Sequence, residues 1–189
     1  MLSSYSSHQI EMAVAASLIQ LDLLSPKQIN EYADNLLTSG YYDDSLLEIL
    51  DEDPIYPNVA KAYALRTAMT NLGFPIVSNE QARWILVAHY IYAFSVRPHN
   101  YNIFEFNDLY DYFFFNDPLD SATNQKIDAF KYLLYRIDDA TPLPDGYVQK
   151  GFNDAKTLFK LQTDFFIMGE YWLTDQHLKI EAIFTELYA

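Results

Sequence analysis

Three Ser-x-x-Gln sequences within the first 81 residues stand where a helical apolar pattern begins: Ser6-Ser7-His8-Gln9, Ser25-Pro26-Lys27-Gln28 and Ser78-Asn79-Glu80-Gln81. In this pattern the serine hydroxyl accepts from a backbone N–H of a new helix, and the glutamine reaches back to the serine N–H, so two orphan donors are satisfied together. The pattern starts helices and not strands. Pro26 strengthens the second start, because at the first helical position its missing N–H costs nothing. Gly40 and Gly73 supply the matching stops, since glycine takes the left-handed conformation that closes a helix.

Hydrophobic spacing fills in the segments between these marks. Ile10, Val14, Leu18 and Leu21 share one face of a helix reaching about Asp22, and Ile29, Tyr32, Ala33, Leu36 and Leu37 form the stripe of a second. A short third helix over 44–50 is expected to turn Leu46, Leu47 and Leu50 inward and Glu48 outward. A fourth opens at Pro57 and runs through Val59, Tyr63, Arg66 and Met69 to Gly73. A long apolar fifth covers 81–96 and ends ahead of Pro98. Residues 102–116 read as helix, although Phe113, Phe114 and Phe115 in a row cannot share one core stripe. The next helix starts at Asp117 or Ser121 and aligns Ile127, Phe130, Leu134 and Ile137 up to about Asp138. Pro142, Pro144, Asp145 and Gly146 mark a loop. Helices over 153–172 and 174–188 complete the chain, with a short strand over 165–173 as the alternative that its aromatic content allows. The expected fold is all-α, an irregular bundle or short stack of about eight helices arranged as hairpins, in a single domain spanning 1–189.

Sixteen Tyr, thirteen Phe and two Trp among 189 residues supply a sizeable core and argue against a solvated chain. The absence of cysteine excludes disulfides, thiolate zinc sites and a cysteine nucleophile. His8, His89, His99 and His177 stand singly, which gives no metal-ligand spacing, and His89 within Ala88-His89-Tyr90 reads as a core histidine. No Gly-rich phosphate loop or Gly-x-Ser-x-Gly elbow occurs, and Asp138 and Asp139 are adjacent and so point apart. No catalytic residue, cofactor or metal is therefore expected. Met-Leu-Ser-Ser-Tyr-Ser-Ser-His carries neither the basic nor the apolar part of a secretory signal, and the apolar windows 84–94 and 165–173 are too short to span a bilayer. The expected location is cytoplasmic, away from membranes.

Charge gives the direction for function. The formal net charge is −14, and residues 1–60 hold ten carboxylates against Lys27 alone. Within 41–53 lie Asp43, Asp44, Glu48, Asp51, Glu52 and Asp53. Such a field attracts a basic protein and repels nucleic acid. The spacing does not suit calcium, because an EF-hand loop alternates its ligands around a central Gly, whereas this stretch is amphipathic. Tyr41 and Tyr42 precede the acids and offer rigid contact area, while carboxylates select Arg and Lys. The candidate partner surface is therefore Tyr41, Tyr42, Asp43, Asp44, Glu48, Asp51, Glu52 and Asp53. Glu105, Asp108, Asp111 and Tyr112 form a secondary patch opposite Ile103, Phe106, Tyr110 and Phe113. Phe114 and Phe115 then need a cover from the same domain or from a homodimer.

The stretch Leu23-Leu24-Ser25-Pro26 through Ile29, Tyr32-Ala33, Leu36-Leu37, Gly40 and Leu46-Leu47 resembles the opening helical hairpin of small bacterial immunity-type proteins of polymorphic-toxin and contact-dependent inhibition systems. The resemblance implies a cytoplasmic protein that neutralises one cognate toxin by covering its active site or a neighbouring exosite. A nuclease suits the charge best, because its groove must be positive. Two other readings stand beside it. A phage-type nucleic-acid mimic would spread its carboxylates along an extended surface, whereas here they crowd the first third. A helical adaptor or oligomer subunit without inhibitory activity would use the aromatic excess as its interface.

Overall fold

The computed structural model describes residues 5–51, 58–96, 112, 121–140 and 155–189. Among them every regular element is a helix: α1 (Ser7–Gln20), α2 (Pro26–Thr38), α3 (Asp44–Asp51), α4 (Asn58–Asn71), α5 (Asn79–Val96), α6 (Ser121–Ala140), α7 (Ala155–Asp175) and α8 (His177–Leu187). The protein is all-α. Contacts divide it into two compact units, residues 2–86 with 180–189, and residues 87–179.

In the first unit the local signals act as the sequence specifies. Ser6, Ser25 and Ser78 each accept from the backbone N–H of the glutamine three residues on, at 3.2, 3.3 and 3.2 Å. Gln9, Gln28 and Gln81 each return a bond of 2.9 Å to the serine N–H. The closures are equally regular. After α2, Tyr41 N donates to Leu36 O and Gly40 N to Leu37 O, both at 3.0 Å. After α4, Phe74 N donates to Met69 O at 2.9 Å and Gly73 N to Thr70 O at 3.1 Å. Both glycines have φ near +80°, at 87° and 79°. This paired-bond closure satisfies carbonyls that would otherwise be orphaned.

The core of this unit joins α1, α2, α3 and α4 through Ile19, Ile29, Ala33, Leu36, Leu46, Ile49, Leu65 and Met69, all buried. α1 is covered more widely than a single stripe allows, because Ala13, Val14, Ala15, Ser17 and Ile19 are all buried. Ser17 is accommodated because its hydroxyl donates to Ala13 O at 2.7 Å.

α3 and α4 run antiparallel: Asn71 at the end of α4 bonds Asp43 ahead of α3, and Lys61 early in α4 bonds Ile49 late in α3. Two sequence expectations need correction here. α3 buries Leu46 and Ile49, leaving Leu47 and Leu50 40 and 37 % exposed. α4 turns Lys61, Leu65, Ala68 and Met69 inward, and of the four residues used to trace it only Met69 is buried. Val59, Tyr63 and Arg66 face out because a buried lysine sets the phase of the helix.

Two α4 cations also hold other helices. Lys61 Nζ donates to Ile49 O at 3.2 Å and to Asn30 Oδ1 at 3.1 Å. Arg66 Nη2 donates to Ile19 O at 2.9 Å and lies 3.6 Å from Asp22. A positive group at the carbonyl end of a helix is favoured by the helix dipole. Residues 1–66 therefore carry −7, ten carboxylates against three cations.

In the second unit α6 and α7 pack through Phe130 and Phe165, whose rings lie 5.2 Å apart at 67°, with Trp172 edge-on to Phe130. The strand alternative over 165–173 is excluded: the segment lies inside α7. Leu161, Phe165, Trp172 and Leu173 are buried while Ile167 and Tyr171 are exposed, a helical period where a strand would bury alternate residues. His89 on α5 lies edge-on to Tyr90, and burial pushes its imidazole below the ordinary histidine range. Because the folded value is the lower one, this contribution to stability is complete above the unfolded value near 6.5 and is lost as pH falls below it. His89→Leu is expected to flatten the fall in melting temperature between about pH 7.5 and about pH 5, read against the wild type. Parallel curves for the two proteins would contradict this.

Candidate functional site: the acidic face of α3

The turn from α2 into α3 sorts the acidic cluster into structural and available groups. Tyr41 belongs to the first kind. It is half-buried against the core, lies 5.9 Å from Phe74 edge-on, and stacks on His8, with its Oη 2.6 Å from His8 Nε2. Asp43 is also structural. Its Oδ1 accepts from Ser45 N at 3.0 Å and caps α3, and its Oδ2 accepts from Asn71 Nδ2 at 2.9 Å. The Asn71 bond is the main reason its carboxyl sits below the usual range, partly opposed by desolvation and aided by Ser45. The cap therefore contributes fully above the ordinary carboxylate range and is lost as pH falls through the lowered value. Asp43→Ala is expected to cost about 1 kcal/mol in urea unfolding. Asp44→Ala should stay within about 0.5 kcal/mol, as befits an exposed site. Equal losses at the two positions would contradict the capping role.

The available groups lie on α3 itself. Asp44, Glu48 and Asp51 are exposed at i, i+4 and i+7, which places them on one line of the helix. Leu47 and Leu50 border that line. Tyr42 stands at its head, 65 % exposed, donating from Oη to Asp44 Oδ1 at 3.1 Å. This bond is the chief reason its phenol is raised above its ordinary value. Among the described residues no cation pairs with Asp44, Glu48 or Asp51. Like charges four apart weaken a helix slightly. Local stability therefore does not explain the arrangement. The face combines carboxylates for guanidinium or ammonium groups with three apolar or aromatic side chains for the stems that carry them.

Of the surface expected from sequence, Tyr42, Asp44, Glu48 and Asp51 stand together on this face, whereas Tyr41 and Asp43 are half-buried and engaged by His8 and Asn71. Glu52 and Asp53 lie outside the described residues, as do Glu105, Asp108 and Asp111 of the secondary patch. Tyr112 is a correction: at 3 % exposure, with its ring 5.1 Å from Tyr90, it is a packing residue and not a contact surface. Sequence reasoning missed Leu47 and Leu50 as surface residues and Lys61 as the anchor of α3. The signal for Lys61 was its register with Leu65, Ala68 and Leu72 on one helical face.

Elsewhere, a groove of about 260 Å³ between α1, α4 and the α4–α5 connection is lined mainly by apolar side chains and by Arg66, whose guanidinium is engaged by Ile19 O and Asp22. Among the described residues no group of three or more His, Asp or Glu side chains is placed to hold a metal ion, and no helix is long and apolar enough to cross a membrane. Comparison with protein-family models, characterised proteins and solved structures finds no match.

Proposed function

We propose that this chain is an acidic, non-enzymatic binding protein that neutralises a cationic toxin, a nuclease above all, as its cognate immunity protein in the bacterial cytoplasm. The observation that carries this reading is the face of α3, where Asp44, Glu48 and Asp51 stand exposed beside Tyr42, Leu47 and Leu50. A nuclease must present a positive groove to phosphate, and an anionic helix face with apolar borders complements such a surface. Fast capture matters for an inhibitor of a toxin, and opposite charge supplies it by steering the encounter. Lys61 and Asp43 hold the two ends of α3, so the face meets its partner with little reorganisation.

The test reverses Asp44, Glu48 and Asp51 to Lys while leaving the Asp43 cap intact. At low salt, capture of a basic nuclease domain is expected to slow at least about tenfold, the wild-type rate itself falling as salt rises. The melting temperature should change little, because all three side chains are exposed. An unchanged association rate in the triple variant would remove this face from the proposal.

A further inference from the structure

The side of α7 turned away from Phe130 is unusually apolar for an outward face. Phe159, Ile167 and Tyr171 are 56, 59 and 75 % exposed. With Thr163 they fall in one row at four-residue spacing, the ridge that helices use when they pack on one another. The charges beside this row are segregated along the helix, with Lys156 and Lys160 toward its start and Asp164 and Glu170 further along it. A parallel copy would set Lys160 on Lys160 and Glu170 on Glu170. An antiparallel copy turned about the level of Phe165 sets Lys160 opposite Glu170, Thr163 opposite Ile167 and Phe159 opposite Tyr171, because the members of each pair lie equally far from position 165.

We infer that this face of α7 binds a second copy of the chain, antiparallel, as a two-fold symmetric pair. Self-complementarity of this kind is what a two-fold interface requires and what an unrelated partner does not. The area is adequate as well. At on the order of 200 Å² for a large side chain, the three exposed fractions leave roughly 400 Å² on each protomer before the stems of Lys160, Thr163 and Glu170 are added. Specific interfaces begin at about 500 Å² per partner. The inference is independent of the α3 face and of what that face binds.

Sedimentation velocity over a range of protein concentrations tests it. The wild type is expected to dimerise. Lys160→Glu and Glu170→Lys, each creating two like-charge contacts across the symmetry axis, should each weaken the dimer at least about tenfold, and the double swap should restore it. Ile167→Asp should abolish it, with helical circular dichroism unchanged because Ile167 is exposed. A wild type that stays monomeric at every concentration overturns the inference. So does a dimer indifferent to both single swaps, which would place the contact on another face. Folded single variants that the double swap fails to rescue overturn the antiparallel register and with it the proposal.

Discussion

Lys61→Ala is expected to destabilise the protein by about 3 kcal/mol, a large effect for a charged residue. Lys61 is 1 % exposed, and its Nζ donates to both Asn30 Oδ1 and Ile49 O. Alanine leaves two acceptors without this donor and a cavity where the aliphatic stem lay. Lys61→Met restores most of the stem volume and isolates the loss of the hydrogen bonds, so it should cost about 1–2 kcal/mol. The consequence for function follows from where the amine sits. Without it the last turn of α3 loses its anchor to α2 and α4, and the line from Asp44 to Asp51 is held from one end only. Urea unfolding of both variants measures the effect. A Lys61→Ala protein within about 0.5 kcal/mol of wild type would show that the amine holds nothing.

Phe165→Ala should cost about 4 kcal/mol. Phe165 is fully buried and packs edge-on against Phe130, so its removal opens a cavity between α6 and α7 and also breaks an aromatic pair. Ile167→Ala provides the contrast. Two residues along a strand the pair would share a face and both losses would be large, but on α7 Ile167 is exposed and its removal should cost less than about 1 kcal/mol. Equal costs at 165 and 167 would contradict the helical placement of this segment.

The parts of the fold legible in the sequence were those decided within a few residues. Ser6 with Gln9, Ser25 with Gln28, and Ser78 with Gln81 form their bonds inside one turn, and Gly40 and Gly73 need only their own backbone freedom, so no tertiary context intervenes. The phase of α3 was not legible. Leu46-Leu47-Glu48-Ile49-Leu50 offers apolar residues on most sides, and the choice of Leu46 and Ile49 as the inward pair is made by α2 and α4 pressing on that side. The phase of α4 was hidden for a different reason. Its inward stripe begins with a lysine, which hydropathy assigns to solvent, and the distant Asn30 and the Ile49 carbonyl, which accept from its amine, help make that burial tolerable. Tyr41 and Asp43 looked available because sequence proximity to an acidic run says nothing of His8, 33 positions earlier, or of Asn71, 28 positions later.

The same comparison narrows the candidate surface. Seven of the twelve residues expected to meet a partner lie among the described residues, and of these Tyr42, Asp44, Glu48 and Asp51 form the exposed face, joined by Leu47 and Leu50, which the sequence had assigned to the core. The apolar members change the chemistry of the proposal. Carboxylates alone steer an encounter but add little to a lasting complex, whereas leucine and tyrosine beside them exclude water from the pairs that form.

Carbodiimide labelling of carboxyl groups, read by mass spectrometry with and without a basic nuclease domain to which the protein binds, tests the central claim most directly. Asp44, Glu48 and Asp51 should react freely in the isolated protein and lose that reactivity in the complex, while Asp34 on α2 should not change. A tight complex in which the three α3 carboxylates label as they do in the free protein would contradict the account.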